Sequence, residues 1–127
     1  MKKDTRPWIR KAEADFKAAS LILREDLNDA VCFHCQQCIE KYLKAMLVEL
    51  GLPVPKTHDL GRLRALLVPH YPAIKRYRRG MLFLTTFAVE TRYPGESATK
   101  RDAAATMRWT ESIRLEVRTR LGLKTAS

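Results

Sequence analysis

Four polar side chains recur along one stretch of the sequence, His34, Gln37, Lys41 and Lys44, at spacings of three, four and three. On a helix they fall within roughly an 80° arc, so an imidazole, an amide and two ammonium groups can converge on one object. Such donors suit a phosphate that carries a base or a sugar. The same row also reads as a solvated flank in which Glu40 pairs with Lys44 one turn on. Two other places add candidates. In Pro53-Val54-Pro55-Lys56-Thr57-His58-Asp59-Leu60, Thr57 can cap a helix and leave backbone N–H groups beside His58 to receive an anion. It reads equally as a plain cap, with Asp59 complementing the helix dipole. In Arg92-Tyr93-Pro94 the arginine can grip phosphate and the tyrosine can stack, or both can cover the end of a bundle.

The three cysteines, Cys32, Cys35 and Cys38, follow C-x2-C-x2-C. Residues three apart on a helix drift around its axis, whereas iron–sulfur ligands sit on a wrapping loop and need a fourth cysteine. Zinc held by His34, Cys35 and Cys38 would need ligands from another segment. Small buried side chains are the better reading, and neither a metal nor a cofactor is expected. An odd set of cysteines packed into seven residues is no secreted disulfide framework, which points to a reducing, cytoplasmic setting.

The elements that must position these residues are helices. Pro7 fits a first helical turn, and Trp8, Ala12, Phe16, Ala19 and Leu23 recur at helical spacing behind it. Asn28 offers a cap to a second helix that runs to about Leu50, where Gly51 and Pro53 stop it. Its core face is Val31, Cys35, Cys38, Ile39, Tyr42, Leu43, Met46 and Leu50. Thr57 caps a short third helix with Leu60, Leu63 and Leu67, which Pro69 ends. A fourth, from near Pro72, aligns Ile74, Tyr77, Met81, Leu84 and Ala88, with Gly80 marking a kink or a close contact. The last, Glu96 to Leu121, repeats Ala105, Trp109, Ile113, Val117 and Leu121 before Gly122. The expected fold is all-α, an antiparallel up-and-down helical bundle of four long helices plus one short helix, in a single domain over 1–127 with its core at about 5–122.

Composition agrees. With 46% hydrophobic and 30% charged residues in 127, one soluble core forms, and 5 glycines with 6 prolines are too few for a chain of hairpins. No apolar run approaches the ~20 residues of a membrane span. The net charge of +10 favours an anionic partner. Lys75-Arg76-Tyr77-Arg78-Arg79, with Arg108, Arg114, Arg118 and Arg120, either tracks an RNA backbone or forms a solvated face.

Phe33-His34-Cys35-Gln36-Gln37-Cys38-Ile39-Glu40-Lys41-Tyr42-Leu43-Lys44-Ala45 resembles the F-H-x-x-Q-x-x-E-K-x-x-K-A stretch of HEPN domains, the nucleotide-binding domains of higher eukaryotes and prokaryotes. Pro55-Lys56-Thr57-His58-Asp59-Leu60 resembles that family's P-x-T-H-D-L, Arg92-Tyr93-Pro94 its R-Y-P, and Ala12-Glu13-Ala14-Asp15-Phe16 its A-x-x-D-L-x-x-A opening. The resemblance spans nearly the whole chain. It implies a helical bundle, commonly a homodimer, that in prokaryotes often pairs with a small nucleotidyltransferase, sometimes as a toxin–antitoxin couple. It also implies nucleotide binding at His34, Gln37, Lys41, Lys44, His58 and Arg92.

Many members of the family are metal-independent ribonucleases with R-x4-6-H, in which histidine moves a 2′-hydroxyl proton and arginine stabilises the phosphate. The one match is Arg64 to His70, with Ala65 where a polar residue is expected and Pro69 cutting the helix. The sequence therefore favours a non-catalytic module that binds nucleotide or RNA phosphate. The alternatives are a ribonuclease using Arg64 and His70, and a subunit that only dimerises or holds a partner protein.

Overall fold

A computed structural model describes residues 1–89 and 92–125. Its elements are α1 (Arg6–Ile22), α2 (Asn28–Glu49), α3 (Leu60–Leu67), α4 (Arg78–Thr85) and α5 (Lys100–Arg120), with no strand among the described residues. A 3-10 stretch, Pro72–Tyr77, leads directly into α4, so the fourth long helical segment is Pro72–Thr85. The all-α fold is as the sequence implied.

Contacts between residues set the directions. Thr5 meets Glu49 and Asp15 meets Lys41, so α1 and α2 run antiparallel. Cys35 meets Met107 and Tyr42 meets Arg118, so α2 and α5 run parallel across the middle of the bundle. Gly80 lies at Trp109 and Arg76 at Glu116, which makes α4 antiparallel to α5. The four long segments thus alternate up and down, with α3 packed between α2 and α4.

α2 is the central rod, in contact with α1, α3, α4 and α5. Its apolar face is buried from Val31 to Leu47, as expected, and Leu50 at its end is half-buried. The three thiols are buried, with the Cys35 Sγ 3.4 Å from the Met107 Sδ. Desolvation pushes the Cys35 thiol up to about 11 and raises Cys32 and Cys38 as well.

Local signals differ from expectation at four ends. Asn28 does not cap α2: it is the first helical residue, no side chain caps that end, and its Oδ1 is buried without a partner. Thr57 does not cap α3: Asp59 does, accepting from Gly61 N at 2.9 Å and Arg62 N at 3.3 Å, while Thr57 Oγ1 accepts from Asp59 N. Asp59 therefore fills the N–H site that the sequence left for an anion. α5 starts at Lys100, because Thr99 and Asp102 form a capping box there. The Pro72 segment stops at Thr85, whose Oγ1 accepts from Leu60 N and donates to Met81 O, so Ala88 lies beyond the helix.

Gly80 marks a close contact. A Cβ there would press into the indole of Trp109, standing 2.5 Å from Cδ2, a distance side chains do not tolerate. Gly80→Ala is expected to lower stability by about 1–3 kcal/mol. The cost should shrink in a Trp109→Leu background. Equal costs in the two backgrounds, read from urea midpoints, would refute this packing account.

Candidate functional site

The row predicted on α2 is present, but it is not bare. Asp15, at a buried position of α1, meets two of its members: His34 Nδ1 lies 2.8 Å from Oδ1 and Lys41 Nζ donates to Oδ2 at 2.5 Å. Lys44 donates to the next carboxylate, Glu40, at 3.0 Å. Glu40 is also reached by His58 Nδ1 at 2.8 Å and by Gln36 Nε2 at 3.2 Å, and Gln36 in turn binds the His58 carbonyl at 2.9 Å and accepts from Gln37. Two carboxylates therefore organise five of the six predicted binding residues, Gln37 through its neighbour. His34 and Lys41 stand on the α1 side, and His58 and Glu40 on the side of the 52–59 link. Because Nδ1 is engaged in both imidazoles, Nε2 is the atom each has left.

Arg92 stands apart from them. Its Nε donates to Glu96 O at 2.8 Å and its Nη1 to Thr86 O at 3.0 Å, its guanidinium lies over Phe87, and Asp29 is 3.9 Å away. It staples the end of α4 to the loop before α5 and to the start of α2. Arg64 and His70 are not brought together by any hydrogen bond among the described residues. Arg64 spends Nε and Nη2 on the Lys75 carbonyl, at 3.2 and 2.8 Å, while His70 is exposed in the turn after α3.

Part of the expected basic face turns inward. Arg114 makes a two-pronged pair with Glu13, at 2.7 and 2.6 Å, and lies over Phe16, while Arg118 donates to Tyr42 OH. Tyr42 donates to Glu13 as well. Arg76 and Arg120 share Glu116. Lys75, Arg78, Arg79 and Arg108 remain exposed, without an ion pair among the described residues.

Sequence reasoning missed the parts played by Asp15 and Glu13, and it read the Glu40–Lys44 pair as a solvated flank where the structure buries it. Asp15 falls between Ala12 and Ala19 in the buried stripe of α1, and a carboxylate at a core position is itself the signal of a paired cation. Burial by itself would raise the Glu40 carboxyl, yet the hydrogen bonds from His58, Lys44 and Gln36 outweigh it and hold the group below its ordinary value. Glu13 is likewise raised by burial but lowered on balance by Arg114, Tyr42 and Arg118. Since both folded values lie below 4.5, the unfolded chain takes up these protons first as acid is added. The stabilisation is complete above that value and is lost as pH falls through it and then through the lower folded values. Glu40→Gln is expected to cost about 3–5 kcal/mol at pH 7, because Lys44 is left as an unpaired buried charge. It should also flatten the acid limb of the stability curve. Urea midpoints taken from neutral to acid pH check this, and an unaltered acid limb would contradict it.

Residues 5–120 match the HEPN domain family. Among solved structures, the fold is similar to TT1696 from Thermus thermophilus, at TM-score 0.82 and 21% identity over 93% of this chain and 98% of that one. It is also similar to ST0689, an archaeal HEPN homologue, at TM-score 0.75 and 26% identity over 95% and 99% of the two chains. No curated protein matches the chain.

Proposed function

The chain belongs to the HEPN domain family, and from that premise we propose that it is a non-catalytic module binding nucleotide or RNA phosphate along the open strip of α2. The observation that carries the reading is the exposure pattern of this central rod: between Val31 and Leu47, only Phe33, His34, Gln37 and Lys41 reach solvent. A helix closed on every other side keeps its one opening lined with an imidazole, an amide and an ammonium group. Across the strip His58, with 68% of its side chain exposed, offers a second imidazole. An anion lying there takes the His34 and His58 Nε2 edges, the Gln37 amide and Lys41, with Lys44 adding charge from behind. Asp15 and Glu40 fix the orientation of these donors and offset part of their charge. Arg92 acts in this reading as the staple that holds the end of the bundle.

The ribonuclease alternative is weaker, because Arg64 is committed to a backbone carbonyl away from His70. One observation favours RNA over a free nucleotide. Exposed Lys75, Arg78, Arg79 and Arg108 flank the Gly80–Trp109 crossing and form a second cationic surface on which a longer strand can lie.

Titration of the pure protein with a nucleotide panel and a short RNA, at two salt concentrations, tests the proposal. Binding is expected at low salt, and Lys41→Ala and His58→Ala should each weaken it about tenfold. If RNA is the ligand, affinity falls steeply with salt, and Arg79→Ala/Arg108→Ala reduces the slope by about 2. No binding at low salt, or variants that bind like the parent chain, would overturn it.

A further inference from the structure

Independently of the binding proposal above, we infer that His34 is a phosphoryl-acceptor site, whose Nε2 takes the phosphoryl group of a phosphoramidate donor. Asp15 Oδ1 lies 2.8 Å from His34 Nδ1. A neutral ring that donates Nδ1–H to a carboxylate carries its free lone pair on Nε2. That atom has no hydrogen-bond partner among the described residues and is not buried, so the lone pair opens to solvent. Phe33 holds the ring from a second side, edge-on at 67° with the centroids 5.5 Å apart. An imidazole oriented through one nitrogen and free at the other is equipped to attack phosphorus. The second oxygen of Asp15 accepts from Lys41, which is half-buried, so an ammonium shares the carboxylate that orients the nucleophile. A phosphoryl group brings a charge of about −2 to Nε2. Lys41, and Gln37 one turn on from His34, are the donors that answer it.

In the transfer, Nε2 attacks phosphorus in line and the new N–P bond forms as the donor's own P–N bond breaks. Ammonia leaves with that electron pair and is protonated by water. Nδ1 keeps its proton, and the Asp15 carboxylate offsets the positive charge the ring acquires. One P–N bond replaces another, so no further reactant is needed. The other two imidazoles lack part of this arrangement. His70 is exposed and has no carboxylate partner among the described residues. Glu40 orients His58, but Lys44, the ammonium on that carboxylate, is buried, and the next residue, Asp59, adds a negative charge. With 28% of its side chain exposed against 68% for His58, His34 is the less accessible of the two oriented rings. Exposure alone therefore ranks His34 behind His58 and His70, whereas orientation combined with a cation at the surface ranks it first.

The test incubates the full chain with potassium phosphoramidate at neutral pH, maps the acid-labile label by mass spectrometry, and separates Nε2 from Nδ1 adducts by their phosphorus resonances. His34 should be labelled first, on Nε2, about tenfold or more faster than His70. Asp15→Asn keeps the shape of the side chain and removes its charge. It should slow labelling of His34 about ten- to a hundredfold and move the neutral ring toward the Nε2–H tautomer in long-range proton–nitrogen spectra, a change that loosened packing alone does not produce. Lys41→Gln should slow the labelling and leave the tautomer in place. The order of labelling in the parent chain needs no variant and decides the matter even if a substituted chain fails to fold. Label on His58 or His70 ahead of His34, an Nδ1 adduct, an Asp15→Asn variant labelled like the parent, or no label under conditions that phosphorylate free histidine would overturn the inference. Each of these results leaves the binding proposal standing.

Discussion

A carboxylate sealed among helices needs cationic or hydrogen-bonding partners, and this bundle is organised around that requirement. Glu40 keeps 6% of its side chain exposed, in the middle of the most enclosed helix. Its oxygens are met by an ammonium, an imidazole and an amide, drawn from its own helix and from the link that follows it. Ionised carboxylates in such places are tolerated only when every lone pair is answered. The demand fixes more than one side chain. It holds His58, and with it the segment that leads into α3, against α2, and it orders the Gln36–Gln37 pair on the neighbouring turns.

The same logic repeats where α1 enters. Asp15 gathers His34 and Lys41, and Glu13 gathers Arg114 and, through Tyr42, Arg118. A chain with 24 basic and 14 acidic residues thus spends some of its few acids inside, as joints between helices. Lys41, Lys44, Arg114 and Arg118 turn inward with them. Joint and proposed binding surface are then one object, because the groups proposed to face a ligand are positioned by the acids that hold the helices together.

The architecture was legible because its signals are periodic and local. Apolar spacing in α2 and α5, Pro7 in the first turn, and Gly51 and Gly122 with φ of 72° and 73° at helix ends all act within a few residues. The placement of His34, Gln37, Lys41 and Lys44 along one flank of α2 was legible too, since it follows from helix geometry alone. The Glu40–Lys44 pair, one turn apart in α2, was legible as well, though its burial was not. The neutralisation of His34 and Lys41 was not legible, since it depends on Asp15, which reaches them only after α1 folds back antiparallel, and no pattern within α2 reports that contact. The caps were misassigned for a related reason: Thr57 and Asp59 both satisfy the local chemistry, and only the path of the link decides which side chain meets the free N–H groups. Arg114 and Arg118 counted as surface charge until tertiary contact turned them onto Glu13 and Tyr42.

The three thiols have a practical corollary. Each lies under the helices that cover the central rod, protonated at neutral pH and out of reach of a bulky electrophile. A maleimide or disulfide reagent added to the intact protein can therefore react only during excursions in which helices part. Alkylation kinetics become a clock for bundle opening, built into the native sequence and needing no introduced label.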